Sequence, residues 1–203
     1  MSDIMQDTNG VLVQGHIKIY DPESQKVYVD KRNAIHYENM SIALAESLAN
    51  EGQGFIYQMS FGNGGTNVDP TGIITYLTPN STGTNASLYN QTYTKVVDDR
   101  SVNNTDPARN KLETRHVAGT NYTDIVVSAL LDYGEPDGQD AFDTAADTEQ
   151  QFVFDELGLV GYSPSGTGRL LTHVIFHPVQ KSLNRLIQID YTVRVQSLSG
   201  GNT

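Results

Sequence analysis

The chain has 203 residues, enough for one domain with a sizeable core. Its 24 acidic and 13 basic side chains give a formal net charge of −11, which disfavours non-specific contact with nucleic-acid phosphates or anionic lipid. No cysteine is present, which excludes disulfide frameworks, thiolate metal sites and cysteine nucleophiles, and the 37% apolar fraction fits a loop-rich, mainly β protein.

Residues 1–10 read as a polar N-terminal arm without the basic and apolar regions of a signal peptide. Val11, Val13, Ile17 and Ile19 alternate with Leu12, Gln14, His16 and Lys18, predicting a strand with a bulge at Gly15. Asp21 to Gln25 make a turn, and Val27 and Val29 mark the return strand of a hairpin over about 11–30. A helix follows over about 39–50, with Met40, Leu44 and Leu48 four apart and Ala43, Ala45 and Ala49 beside them. Asn39 or Ser41 would cap its start and Gly52 would close it, with the helix packed on one face or end of a sheet.

Phe55 to Phe61 form the next predicted strand, ending at Gly62-Asn63-Gly64-Gly65-Thr66. A phosphate cradle requires such a glycine run to open a helix, and Asn67-Val68-Asp69-Pro70 follow instead. Gly62, Gly64 and Gly65 are therefore read as a tight structural turn. Residues 63–94 form an extended loop insertion, interrupted by Ile73 to Leu77. Tyr57, Tyr76, Tyr89 and Tyr93 argue that it is ordered, with neighbouring subunits as the expected source of order.

Lys95 begins another strand, and Asp98 to Asn110 are a polar excursion. Lys111–Val117 and Thr123–Leu131 read as a strand pair. Ile125, Val127, Ala129 and Leu131 share one face of the second, and Val126 and Leu130 make its other face partly apolar, as in a central strand. Tyr133 to Gln150 form an acidic surface lobe. The last third holds three strand-like runs, Phe152–Leu159, Leu170–His177 and Leu186–Val195. They are expected to form a meander that supplies much of the core. Ser163 to Gly168 form a turn, Pro178 should end the second run or hold it at an edge, and Val179 to Arg185 form a short polar crossing.

Chemistry-bearing groups are sparse. The acidic loop at 132–143, with Asp132, Glu135 and Asp137, is the best cation candidate, but its spacing misses that of a calcium loop. His173 and His177, four apart, would lie about 13 Å apart on a strand, so a zinc site is not expected. Asn-X-Ser/Thr triplets at Asn39, Asn80, Asn85, Asn90, Asn103 and Asn121 reflect an Asn- and Thr-rich composition. Asp98-Asp99 and Asp155-Glu156 could be imagined as acid/base pairs, but neighbours on a strand point to opposite faces. No nucleophile elbow is present, so neither catalysis nor a cofactor is expected.

The order of segments carries a resemblance. Asn33-Ala34-Ile35-His36 leads into the Ala-rich helix, followed by Phe61-Gly62-Asn63-Gly64-Gly65-Thr66 and Leu88-Tyr89-Asn90-Gln91-Thr92-Tyr93. Phe154-Asp155-Glu156-Leu157-Gly158-Leu159 and Leu170 through Pro178 to Ser182 complete the series. The layout resembles virion structural proteins of tailed bacteriophages, and within them the attachment domain of the tail-collar fibre family. The match spans roughly 11–198, is one of pattern rather than of a catalytic signature, and departs in its long middle insertion and in lacking a fibrous C-terminal extension.

The resemblance implies a collar, neck or fibre-attachment ring component of the virion, made in the host bacterial cytoplasm. Its partners would be further copies of itself and other proteins of the neck, tail or fibres. The alternative is a receptor- or glycan-binding tail or baseplate module. The expected architecture is an antiparallel β-sandwich-like domain over 11–198 with one helix and long loops, and a short tail at 199–203. Candidate subunit contacts are Tyr76, Tyr89, Tyr93 and Tyr133, and Glu156 with Lys181 is a candidate structural ion pair.

Overall fold

The computed structural model describes residues 10–136, 151–166 and 168–198. Positions 1–9, most of the acidic lobe and the tail at 199–203 lie outside the described residues. In chain order the elements are β1 (Gly10–Tyr20), β2 (Val27–Ile35), α1 (Tyr37–Leu48), β3 (Ile56–Gly62), β4 (Thr66–Val68), β5 (Ile74–Tyr76) and β6 (Gln91–Val96). They continue with β7 (Lys111–His116), β8 (Tyr122–Leu131), β9 (Gln151–Gly161), β10 (Thr172–Ser182) and β11 (Ile187–Leu198).

Nine strands form one antiparallel sheet in the order β6-β3-β9-β10-β2-β1-β11-β8-β7, and β4 and β5 form a separate small hairpin. At its middle the sheet is joined by only two register pairs, Thr172 with Ile35 and His173 with Ala34. There it curls over, so that a four-stranded half and a five-stranded half bury their inner faces in one core. The protein is thus mainly β and sandwich-like, with a single helix among the described residues.

The alternation that predicts β11 is realised: Ile187, Ile189, Tyr191 and Val193 all point inward and are buried. Opposite them Phe154 meets Phe61 edge-on at 5.5 Å and Phe176 edge-on at 5.7 Å. β8 lies between β11 and the edge strand β7, and Leu130 on its second face is also buried.

Several expectations are corrected. The last three strands are not a meander: β10 pairs with β9, whereas β11 pairs with β1 and β8 in the other half. The polar crossing after Ser182 therefore passes between the halves. Pro178 does not end β10, because register slips from Ile175–Glu156 to Val179–Phe154 and positions 176–178 bulge past Asp155. The residue that lacks an N–H thus sits where the ladder is already interrupted.

Gly15 carries no bulge, since β1 stays in register through Val193 and Asn33. A Cβ there would lie 1.8 Å from Asn33 Oδ1, so the glycine makes room for the Asn33 side chain, which bonds the Tyr191 hydroxyl. Within 63–94, the β4–β5 hairpin and the start of β6 at Gln91 replace part of the expected loop.

The helix buries Asn39, Met40, Ala43 and Glu46, while Leu48 is 88% exposed. Met40 and Ala43 thus face the core as expected, with Leu44 packed against it, while in place of Leu48 the helix buries Glu46, which Arg169 holds through bonds of 2.8 and 2.9 Å. His36, not Asn39 or Ser41, caps the helix, its Nδ1 accepting the Asn39 N–H at 3.2 Å. Asn50, at φ 56, takes the left-handed position two residues before Gly52. No helix among the described residues is long and apolar enough to cross a membrane.

Candidate functional site

The densest polar constellation lies where β9 and β10 meet the segment after β3. β9 is paired on both sides, so Asp155 and Glu156 are carried inside and must find partners there. Glu156 Oε1 accepts the backbone N–H groups of Asn90 at 2.8 Å and Gly64 at 3.1 Å. Its Oε2 accepts the Tyr89 N–H at 2.9 Å and His173 Nε2–H at 2.9 Å. Beside it, Asp155 accepts the N–H groups of Gly65 and Thr66, each at 2.9 Å, and the Thr66 hydroxyl.

The imidazole tautomer follows from its two neighbours. His173 Nδ1 accepts the Asn80 N–H at 2.8 Å, so that nitrogen carries no proton. The ring is therefore neutral and donates through Nε2 to an ionised Glu156. Burial pushes the Glu156 carboxyl up, but the bonds from His173, Asn90, Tyr89 and Gly64 outweigh it and hold the group below its ordinary value. For Asp155 burial wins over the Thr66 and Gly65 bonds, the Glu156 charge adds to it, and its carboxyl is raised. Two adjacent carboxylates thus differ because one is met by three backbone N–H groups and an imidazole.

The glycine run cradles an anion after all, and the anion belongs to the chain itself. A Cβ on Gly62 would lie 2.4 Å from the Asn90 carbonyl oxygen and 2.5 Å from Glu156 Oε1. One on Gly64 would lie 2.8 Å from the Asn90 nitrogen, and one on Gly65 would lie 3.0 Å from Ile175 Cγ2. None of the three has positive φ, so close approach, rather than a left-handed turn, demands glycine here. The node ties β9, β10, the 62–66 turn and the 80–90 segment together, which orders much of the insertion within one chain.

Chemically the node is closed. Glu156 and His173 are fully buried, and the accepting lone pairs of the carboxylate face donors from within the chain. The Glu156–Lys181 pair does not form, because register puts Glu156 opposite Ile175 and Lys181 opposite Phe152. Lys181 instead donates to the carbonyls of Asp132 at 3.0 Å and Ser182 at 2.8 Å. Burial lowers its ammonium to about 8, against the pull of Glu135 and Asp132. Lys95, also buried, pairs with Glu135.

The four tyrosines do not converge. Tyr76 and Tyr89 are exposed on the same side of β10, Tyr76 with its hydroxyl 3.4 Å from His177 Nδ1 and Tyr89 with its ring 5.7 Å from that of His173. Tyr133 is exposed elsewhere, donating to Glu23 at 2.8 Å. Tyr93 is not a surface residue: it is buried, with its ring 5.7 Å from that of Phe61, and burial followed by the Glu135 charge raises its hydroxyl.

His173 is buried and His177 exposed, and no group of three metal-ligating side chains occurs among the described residues. In the acidic loop, Asp132 is bound by Arg109 at 2.8 Å and Glu135 by Lys95, while 137–143 lie outside the described residues.

Sequence reasoning missed the Glu156–His173 bond. Its signal was a charged residue and a histidine, each embedded in an apolar run long enough for a strand buried on both faces, where a charge needs a partner. In comparisons with known proteins, no family model, no curated protein and no solved structure matches this chain.

Proposed function

We propose that this chain is a non-enzymatic structural protein of a tailed-phage virion, a collar, neck or fibre-attachment ring component that acts through contacts between subunits. The observation that carries the reading is the sealed node: the acid and imidazole that sequence would offer to catalysis are fully buried and spent on backbone N–H groups. Such wiring supports rigidity of a framework rather than turnover.

The segment order resembling the tail-collar attachment domain supplies the virion context. Contacts through loops are favoured over contacts through the β7 edge. That edge strand carries Lys111, Glu113 and Arg115, all exposed, a pattern that discourages pairing with another chain. The exposed Tyr76 and Tyr89 on the insertion give aromatic contact area at low entropic cost. Closed rotational symmetry would keep the assembly finite. Its partners are copies of itself and neighbouring neck, tail or fibre proteins, with neither nucleic acid nor membrane among them.

The experiment is electron cryomicroscopy of intact particles together with mass photometry of the purified chain. A symmetric ring at the neck or fibre base, with matching copy number, is the expected result. Absence of the chain from purified particles would overturn the proposal.

A further inference from the structure

On the outer face of the four-stranded half, two adjoining cavities of about 720 and 220 Å³ share Gln58, Val160, Ser163, Gly166 and Gly168 and make one groove. Such sizes suit a small ligand, for which sites run about 300–1,000 Å³. The floor is apolar: Leu88, Val160 and Leu170 form a buried cluster separate from the main core. At one end stand the rings of Tyr57 and Tyr162, edge-on at 5.2 Å, with Phe55 stacked behind Tyr162 at 4.9 Å.

The walls carry uncharged hydrogen-bonding groups. Asn103 is engaged with the Tyr57 hydroxyl, and Ser163 with Ser165. Gln58, Asn85 and Gln91 line the groove, and their amides bond to no described residue. Its one charged side chain, Arg169, is held by two bonds to Glu46. A phosphate, sulfate or carboxylate would meet only a guanidinium already paired with Glu46 through Nη1, in a protein of net charge −11. β3 and β9, which carry Gln58 and Val160, are each paired on both sides and offer a peptide strand no free edge.

The apolar floor and the uncharged walls fit a ligand with apolar faces and many uncharged hydroxyls. We propose that this groove binds a neutral oligosaccharide. Sugar C–H faces would lie on the Tyr57–Tyr162 end and the Leu88–Val160–Leu170 floor, with hydroxyls bonded to the amides of Gln58, Asn85 and Gln91. The inference does not depend on the ring reading, since a ring subunit can carry such a groove on its outer face.

The test uses the full chain on an array of neutral tetrasaccharides of glucose, mannose, galactose and N-acetylglucosamine. Any hit is then measured by titration calorimetry. Binding of at least one is expected, with Gln58→Ala and Tyr162→Ala each weakening it tenfold or more. Gln58 is half-buried and belongs to neither hydrophobic cluster, so Q58A keeps the test valid if Y162A fails to fold. No binding of any tetrasaccharide at millimolar concentration would overturn the proposal. So would binding that both variants retain, or a preference for sialylated or sulfated counterparts. Rings that bind no sugar would overturn this inference alone.

Discussion

Replacing Glu156 by Gln isolates the contribution of the node, because shape is kept and only the charge and one acceptor are lost. In the wild type each carboxylate oxygen accepts two donors. An amide must turn its NH₂ either toward the N–H groups of Gly64 and Asn90 or toward Tyr89 and His173, and donor then faces donor. His173 cannot relieve the conflict by moving its proton to Nδ1, since that nitrogen already accepts from Asn80. Two bonds to a charged acceptor, about 1.5–3 kcal/mol each, are lost, offset in part by no longer burying a charge. The balance is a loss of about 3 kcal/mol, at the lower end of the ~3–5 kcal/mol for removing one partner of a buried pair. In urea the midpoint should fall by about 1–1.5 M at a slope of about 2–3 kcal/mol/M, and Tm by about 6–12 °C. His173→Phe should cost less on the E156Q background than alone, with a coupling of at least about 1 kcal/mol. Glu156 is held below its unfolded value, so its contribution is present above about pH 4.3 and lost as pH falls through the folded value. The gap between wild type and E156Q should therefore shrink in acid. A loss below about 1 kcal/mol at unchanged slope, with no coupling to His173, would refute the reasoning.

Gly62→Ala should destabilise by more than about 2 kcal/mol, because its Cβ meets a backbone carbonyl and Glu156 together; thermal melting checks this, and a neutral result contradicts the close approach. The native protein holds Lys181 at about 8 against 10.5, so it binds fewer protons than the unfolded chain in that window, and stability should rise with pH from 8 to 10.5. Urea titrations across that range should show the rise in the wild type and a flatter profile in Lys181→Met. Leu48→Gln should change stability by less than about 0.5 kcal/mol, whereas Met40→Ala should cost about 2–3 kcal/mol, and the reverse order would mean that the helix is rotated from the arrangement described.

Much of the scaffold was legible because strand alternation is a local property. Ile187, Ile189, Tyr191 and Val193 give their buried face in the order of residues alone, as do Val127, Ala129 and Leu131. The composition and the absence of cysteine fixed the mainly β, disulfide-free character in advance. Helix α1 was placed within two residues at each end, and Met40, Ala43 and Leu44 face the core as expected, but Leu48 does not. The stripe Met40–Leu44–Leu48 is apolar by sequence, yet at its C-terminal end Glu46 is buried instead of Leu48, bonded to Arg169, 123 residues away.

Tertiary structure alone decided which strands are neighbours and what the polar residues do. Hydrophobic periodicity says which face of a strand is buried but not which strand lies beside it, so β9, β10 and β11 read as a meander until β11 is seen between β1 and β8. The same gap hid the node: Asp155 and Glu156 look like two carboxylates on opposite faces, and His173 looks like an ordinary strand histidine. Their meaning arises only when backbone N–H groups from 64–66 and 89–90 close around them. Sequence sets burial because the hydrophobic effect is non-directional and acts residue by residue, whereas hydrogen bonds are directional and join positions that only the completed fold brings within 3 Å.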